Sequence, residues 1–315
     1  MSISADPTAP FDVVVVGGGP AGLTAATYLG RFLRSCLVLD AGDSRAKWIP
    51  ESNNCPGFPN GVAGMELLRR MKAQALEFGA RFEAAEAGRI VRDDDGFTLS
   101  GSLRSGGTRS WRARCVILAT GLADKLPDAP WVEDAVACGA LRLCSICDAY
   151  EASDACIGVY GPSADIGAHA RFLRTYSTRV CLLPTDGGDG GDDMREAVAA
   201  GVRLLAAGGR LDFDGKRCRY TCPDGEAIAF DSVYPFLGSR TSAGIAAAAG
   251  AALSDSGEIV VDGGQMTNVP GLFAIGDVVS GLNQISVAVG QAAIAATRVH
   301  ATLPFVPRGA AERAG

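Results

Sequence analysis

The sequence predicts an α/β chain of two Rossmann-like, nucleotide-binding domains, the second inserted in the first. Three observations carry this. A strand, a glycine turn, a helix and a second strand ending in an acid follow one another between Phe11 and Asp40. A second strand–turn–helix–strand order runs from Ala155 to Leu183. A strand at Val269–Ile275 and a small-residue helix after it then return to the first pattern. Alternation of strand and helix of this kind builds parallel sheets covered by helices. The expected limits are 1–124 with 241–315 for the outer domain and 125–240 for the insert.

Composition sets the frame. A chain of 315 residues is long enough for two cores. A net charge of -6 and a pI near 5.1 argue against nucleic acid or an anionic membrane as main partner. No apolar run approaches the roughly 18 residues of a spanning helix. Met1 to Pro10 lacks the basic start and apolar stretch of a signal peptide, so a cytoplasmic protein is expected. In a reducing compartment most of the ten cysteines stay thiols, and a disulfide there points to catalysis rather than to structure.

The elements follow in order. Phe11–Val16 reads as a short apolar strand that runs into Gly17-Gly-Gly19-Pro20-Ala21-Gly22. The first glycine makes the tight turn, the second lets backbone approach a pyrophosphate, and the third lets helix and strand pack closely. Phosphate then rests on the N-terminus of a helix carrying Leu23, Ala26, Tyr28 and Leu29. A strand at Cys36–Leu39 ends at Asp40, about 20 residues on, where a carboxylate binds a ribose hydroxyl. Arg45, in the polar loop beyond, is a candidate phosphate contact or an exposed arginine. Asn54-Cys-Pro-Gly-Phe-Pro59 is a rigid turn cluster. Met65–Phe78 has helical spacing, Arg81–Trp111 alternates strands and turns, and Cys115–Gly121 is a buried strand ending in a glycine turn. Ala123–Pro130 reads as a linker between domains.

In the insert, Gly161–Gly167 reads as a turn and His169–Thr175 as a helix, between strands at Ala155–Tyr160 and Arg179–Leu183. Cys218 and Cys222 flank a hairpin turning at Pro223-Asp224-Gly225, with no second ligand pair for a metal. Cys36, Cys115, Cys156 and Cys181 read as small core residues. His169 and His300 stand in no ligand or nucleophile motif and read as surface or packing residues. Past the insert, Gly276-Asp277 ends a short strand, and Gly281–Ser286 opens a helix over Val287–Val299, whose first N–H groups face an electron-rich ligand edge. Asp277 is either a ligand-binding acid or a helix-capping one.

The chemistry centres on Cys144-Ser-Ile-Cys147-Asp148. On a helical turn, positions i and i+3 share a face. Their Cα atoms then stand about 5 Å apart, within disulfide range. The thiolate is the reactive form, and Asp148 is placed to exchange a proton with a leaving sulfur. Taken alone, the pair also reads as half of a zinc site or as two inert buried thiols.

Together these motifs resemble the low-molecular-weight thioredoxin reductase family of flavoproteins. The likeness covers about Phe11 to Ala301. It rests on Gly17–Gly22 with Asp40, Ala119-Thr-Gly121, Cys144-x-x-Cys147-Asp148, the second strand–helix–strand, and Gly276-Asp277 before the final helix. The resemblance implies bound FAD, an inserted second domain, a homodimer, and electron traffic between flavin and dithiol. It places Gly17, Gly19 and Gly22 on the pyrophosphate and Asp40 on the adenosine ribose, where the family more often has Glu; Pro20 and Ala21, between the glycines, are counted with the cofactor-binding residues. Asn54 and Gly121 are placed near the flavin; Arg45, on its own reading as a phosphate contact, joins the cofactor set. Gly276 and Asp277 are placed on the ribitol and phosphate side. Gln284 and Ile285 are placed at the isoalloxazine edge, with Asn283 where the family has Arg. Cys147 faces the flavin and Asp148 is the acid/base; which thiol attacks an external substrate is left open.

The departures lie in the second domain. The family binds NADPH there through Gly-x-Gly-x-x-Ala and a following His-Arg-Arg cluster. This chain has Gly161-Pro-Ser163-Ala-Asp-Ile166 and then Pro184-Thr-Asp186-Gly-Gly-Asp189. Serine stands where backbone should approach phosphate, and acids replace the arginine clamp. NADH stays open, because Asp186 could bind a ribose diol. The expected activity is FAD-dependent thiol–disulfide exchange on a small dithiol or a thioredoxin-like protein, without normal NADPH use. That means a dithiol oxidase draining to O2 or a protein, or an enzyme fed by a ferredoxin-type donor. The alternatives are an NAD(P)H-dependent thioredoxin-disulfide reductase with a divergent nucleotide site, and a non-catalytic FAD-binding protein.

Overall fold

The computed structural model describes residues 9–279 and 281–307. Most of the Met1–Pro10 stretch therefore lies outside the described residues. The chain forms two compact units. One comprises 1–46, 65–122 and 241–315, and the other 47–64 and 123–240.

The first unit is built on one twisted sheet. Its strands run in the order Arg81–Glu83, Cys36–Leu39, Phe11–Val16, Thr108–Leu118, Gly96–Leu103, Ala85–Asp93, with Leu272–Ala274 paired in parallel to Thr108–Leu118. Val16 lies opposite both Leu39 and Leu118, so these strands end together. Val13 to Val16 are buried, which a strand covered on both faces requires. On one face Val13, Val15 and Ile117 pack on the helices Pro20–Arg31 and Ile285–Thr302. Those helices meet through Ala25, Ala26, Ala292, Ala295 and Ala296, small residues that allow close approach. Thr108–Leu118 changes character along its length. Its first half pairs with the antiparallel meander and alternates exposed with buried residues; its second half enters the parallel sheet and is buried throughout from Cys115.

The second unit holds a four-stranded parallel sheet, Arg203–Leu204, Val180–Pro184, Ile157–Gly161, Ser232–Pro235. Ser163–Leu173 and Gly191–Ala199 cover one face through Ile166, Ala170, Leu173, Met194 and Ala197. The other face packs on a three-stranded antiparallel sheet through Tyr220 and Phe230. Residues 47–64, lying between two stretches of the first unit in sequence, cluster here. The two connecting segments, Leu122–Asp124 and Ser239–Thr241, pair with each other.

Some boundaries differ from expectation. The Ser163–Leu173 helix starts six residues ahead of the expected His169, because the turn is spent at Gly161-Pro162 and Pro162 is the N-cap. The last helix spans Ile285–Thr302, two residues earlier and three later than expected. Cys36, Cys115 and Cys181 are buried, whereas Cys156 is only half-buried. Cys218 and Cys222 are buried; Cys218 opens the strand Cys218–Thr221, and Cys222 begins the expected turn, which joins it to Ala227–Phe230. No cluster able to hold a metal is present among the described residues. His169 stacks on Phe236, and His300 stacks on Phe32 and accepts a hydrogen bond from Arg34 Nε, so both serve packing. No helix among the described residues is long and apolar enough to cross a membrane.

Candidate functional site

In the first unit the strand ends converge on the glycine turn. Gly17 has φ +115°, and a Cβ there would lie 2.2 Å from the Ala119 carbonyl oxygen. A Cβ on Gly22 would lie 2.0 Å from the Gly17 carbonyl oxygen. Only glycine allows either approach. The result is a bare backbone cradle at the start of the Pro20–Arg31 helix, where the first N–H groups lack helical partners. Asp40 abuts it: a Cβ on Gly18 would lie 2.4 Å from its carboxylate, and its Oδ1 accepts the Gly42 N–H at 2.8 Å. Gly121, with φ +67°, follows the neighbouring strand.

The far end of the chain completes this edge. Gly276 has φ +76° and opens a short 3-10 turn with Asp277. Asp277 pairs with Arg45 at 3.6 Å, joining two candidates that lie far apart in the chain. Gln284 is the N-cap of the last helix and Ile285 its first residue. Asn54 is exposed, accepts a hydrogen bond from Ser52 and lies in the segment that clusters with the second unit. One positioning residue carries no motif of its own. Gln291 accepts the Gly276 N–H at 2.7 Å and so pins the Gly-Asp turn to the helix. Its signal in the sequence is a lone amide amid the small apolar residues of that helix.

In the second unit Cys144 is the N-cap of a short helix, Ser145–Asp148, and Cys147 lies within it. The two are joined as a disulfide, their Cα atoms 5.3 Å apart. The acid beside them is held on two sides. Tyr234 donates to Asp148 Oδ1 at 2.9 Å, and Arg142 pairs with Oδ2 at 3.2 Å. Arg142 is itself fixed by a hydrogen bond from Nε to Ser232 Oγ, and Ser232 donates in turn to the Gly139 carbonyl. Burial pushes the Asp148 carboxyl above the usual carboxylate range; the Arg142 charge and the Tyr234 hydroxyl pull the other way and do not fully offset it. Burial, and then the neighbouring Asp148, push the Tyr234 hydroxyl far up, so it stays a donor. The motifs mark neither Arg142 nor Tyr234. Arg142 has a signal in its place two residues before Cys144; Tyr234, an aromatic in an apolar strand, has none.

The model of the pyridine nucleotide-disulphide oxidoreductase family matches residues 11–161 and 194–292. The chain belongs to this family. Thioredoxin reductases from Listeria monocytogenes and Aquifex aeolicus are 26% and 27% identical to it, over 90% and 93% of this chain and 91% and 93% of their own. Among solved structures, that of HlmI superposes with a TM-score of 0.83 at 30% identity, covering 93% of this chain and 92% of its own. The thioredoxin reductase of Streptococcus pyogenes shares the fold at a TM-score of 0.82, with 24% identity over 93% of this chain and 98% of its own.

The protein is thus a flavin-dependent disulfide oxidoreductase of the thioredoxin reductase type, and the family implies FAD. The residues present fit that cofactor. The cradle at Gly17 and Gly22 excludes any side chain, and the helix N–H groups beside it suit a diphosphate. A disulfide of this kind is a bond that a thiolate can open and reclose, and the Asp148 carboxyl stands one residue from Cys147.

Proposed function

We propose that Cys144 and Cys147 exchange disulfide with an external dithiol, that Asp148 handles the proton, and that the enzyme works without normal NADPH use. The closed Cys144–Cys147 pair next to an acid clamped by Arg142 and Tyr234 supports the exchange, and the reading without normal NADPH use rests on Ser163, Ile166 and Asp186 in the second turn.

A substrate thiolate attacks one sulfur of the pair. The S–S bond breaks, a mixed disulfide forms, and the released enzyme sulfur takes a proton. The second substrate thiol then displaces the remaining enzyme sulfur. The substrate leaves as a disulfide, and two electrons and two protons remain on the Cys144/Cys147 dithiol. Asp148 is the group that gives and takes the proton at the leaving sulfur. Its raised pKa keeps part of it protonated closer to neutral pH than a surface carboxylate. Bound FAD supplies two-electron redox chemistry, with O2 or a protein acceptor at its other end. Gly17, Gly19, Pro20, Ala21, Gly22, Asp40, Arg45, Asn54, Gly121, Gly276, Asp277, Gln284 and Ile285 would hold it. We expect a cytoplasmic homodimer.

A second reading is an NAD(P)H-dependent reductase of a thioredoxin-like protein. The thioredoxin reductases among the relatives favour it. An anaerobic flavin spectrum decides between the two. Bleaching by a small dithiol, with no fast response to stoichiometric NADPH or NADH, supports the dithiol oxidase; fast bleaching by either nucleotide sinks it. Cys147→Ser should lower dithiol turnover by at least roughly a thousandfold. Full turnover in that variant would remove the pair from the mechanism.

A further inference from the structure

The second unit's turn repeats the order of the first but carries its own occupant. The Ile157–Gly161 strand enters it, the 11-residue Ser163–Leu173 helix leaves it, and Asp186 follows the Val180–Pro184 strand as Asp40 follows Cys36–Leu39. In both turns the acid's Oδ1 accepts the N–H two residues on, from Gly42 at 2.8 Å and from Gly188 at 3.0 Å. The likeness stops there. Asp186 Oδ1 also accepts the Ser163 hydroxyl at 2.6 Å and the Ser163 N–H at 3.4 Å. Ser163 opens the helix and is only 3% exposed.

The chain after Asp186 lies directly on this turn. A Cβ on Gly188 would stand 2.3 Å from Ser163 Oγ, and one on Gly190 2.8 Å from the Ser163 carbonyl oxygen. Gly190 has φ +65°, so glycine is needed there for conformation as well as for space. Behind the turn, Ile166 is fully buried where the first turn has Gly22. Asp165, Asp189, Asp192 and Asp193 add negative charge on the helix and the loop around it; Arg195 pairs with Asp192. The hydroxyl of Ser163, then the Gly188 N–H, hold the Asp186 carboxyl below the usual range, so it stays charged.

We propose that Asp186 and Ser163 are specificity-determining residues: the Asp186 carboxylate occupies the helix start where a dinucleotide's pyrophosphate would rest, and so closes the second unit to nicotinamide dinucleotides. A helix start accepts one anion on its leading N–H groups. A pyrophosphate would have to break the Ser163–Asp186 bonds and sit beside a like charge. This deepens the reading of an enzyme without normal NADPH use, and rests on it. It also opposes the other role open to Asp186, binding the ribose of NADH.

The two roles predict opposite signs. NADH, NADPH and the redox-inert ADP-ribose are titrated by calorimetry into FAD-loaded wild type, Asp186→Asn and Asp186→Asn/Ser163→Gly. Closure by Asp186 predicts weak binding to wild type, at least about tenfold tighter binding to Asp186→Asn, and a further gain in the double variant. Dithiol turnover, measured alongside, should be unchanged and shows that each variant is folded. Weaker NADH binding to Asp186→Asn would assign the carboxylate to the ribose and overturn the proposal; equal affinity in all three proteins would overturn it too. If wild-type flavin is bleached quickly by NADPH, the underlying reading falls with it. If wild type is silent and the variants gain nothing, only this inference falls.

Discussion

The turn at Gly17–Gly22 and the turn at Gly161–Ile166 share a chain order, yet one is bare backbone and the other is filled by its own side chains. At the first, glycine at position 22 lets the helix touch the turn, and glycine at 19 leaves the helix start open; a Cβ there would already stand 3.2 Å from Ser44 Oγ. At the second, Ile166 takes the place of Gly22, and Ser163 reaches Asp186. A difference of two side chains separates a turn that can receive a diphosphate from one that supplies its own anion. Fold alone therefore does not say which half of a two-domain oxidoreductase binds a nucleotide.

The sharpest way to break this comparison is to change the equivalent position in each turn. Gly22→Ala puts a Cβ 2.0 Å from the Gly17 carbonyl oxygen. It should abolish flavin retention, read as the ratio of flavin to protein absorbance after gel filtration. Ile166→Ala should keep the flavin and cost about 2–5 kcal/mol of stability, the usual range for emptying a buried aliphatic site. Loss of flavin in both variants, or in neither, would mean that the turns do not differ in role.

A second prediction tests whether the acid of the dithiol centre is tuned within its own unit. The Asp148 pKa is raised by burial and lowered by Arg142 and Tyr234. Removing either opposing group raises it further. In the pH profile of dithiol turnover the limb assigned to Asp148 should move to higher pH in Arg142→Met, and less far in Tyr234→Phe. The limb should vanish in Asp148→Asn, with a loss of roughly a hundredfold or more. A limb that stays in place in Arg142→Met would mean that another group titrates.

The smallest effect is expected at the acids that look alike. Asp40→Asn should weaken FAD binding roughly ten- to a hundredfold, the worth of one charged hydrogen bond, measured by equilibrium release of the flavin. No change would take Asp40 out of the cofactor set and remove the parallel with Asp186.

Much of the site is legible in the residues themselves. The glycine turn, the acid after the second strand and the dithiol followed by an acid are short-range features. Each is set by local φ, by the need for close backbone approach, or by i, i+3 spacing on one helical turn. The start of the Ser163–Leu173 helix is not legible in the same way. Glycine at 167 suggests a longer turn and a shorter helix, but packing of Ile166 and Ala170 keeps the chain helical from 163.

What the sequence by itself determined was the order of motifs, hence the fold and the kind of redox centre. Local chain geometry writes these into residue types at fixed spacing. Tertiary structure alone decided which distant groups tune them. Tyr234 meets Asp148 across 86 residues, Gln291 meets Gly276 across 15, and Ser163 meets Asp186 across 23. Residues 47–64 joined the second unit in the same way. Such pairings carry no period in the sequence. They arise when strands align in a sheet and bring polar side chains to shared, partly buried places where each must find a partner.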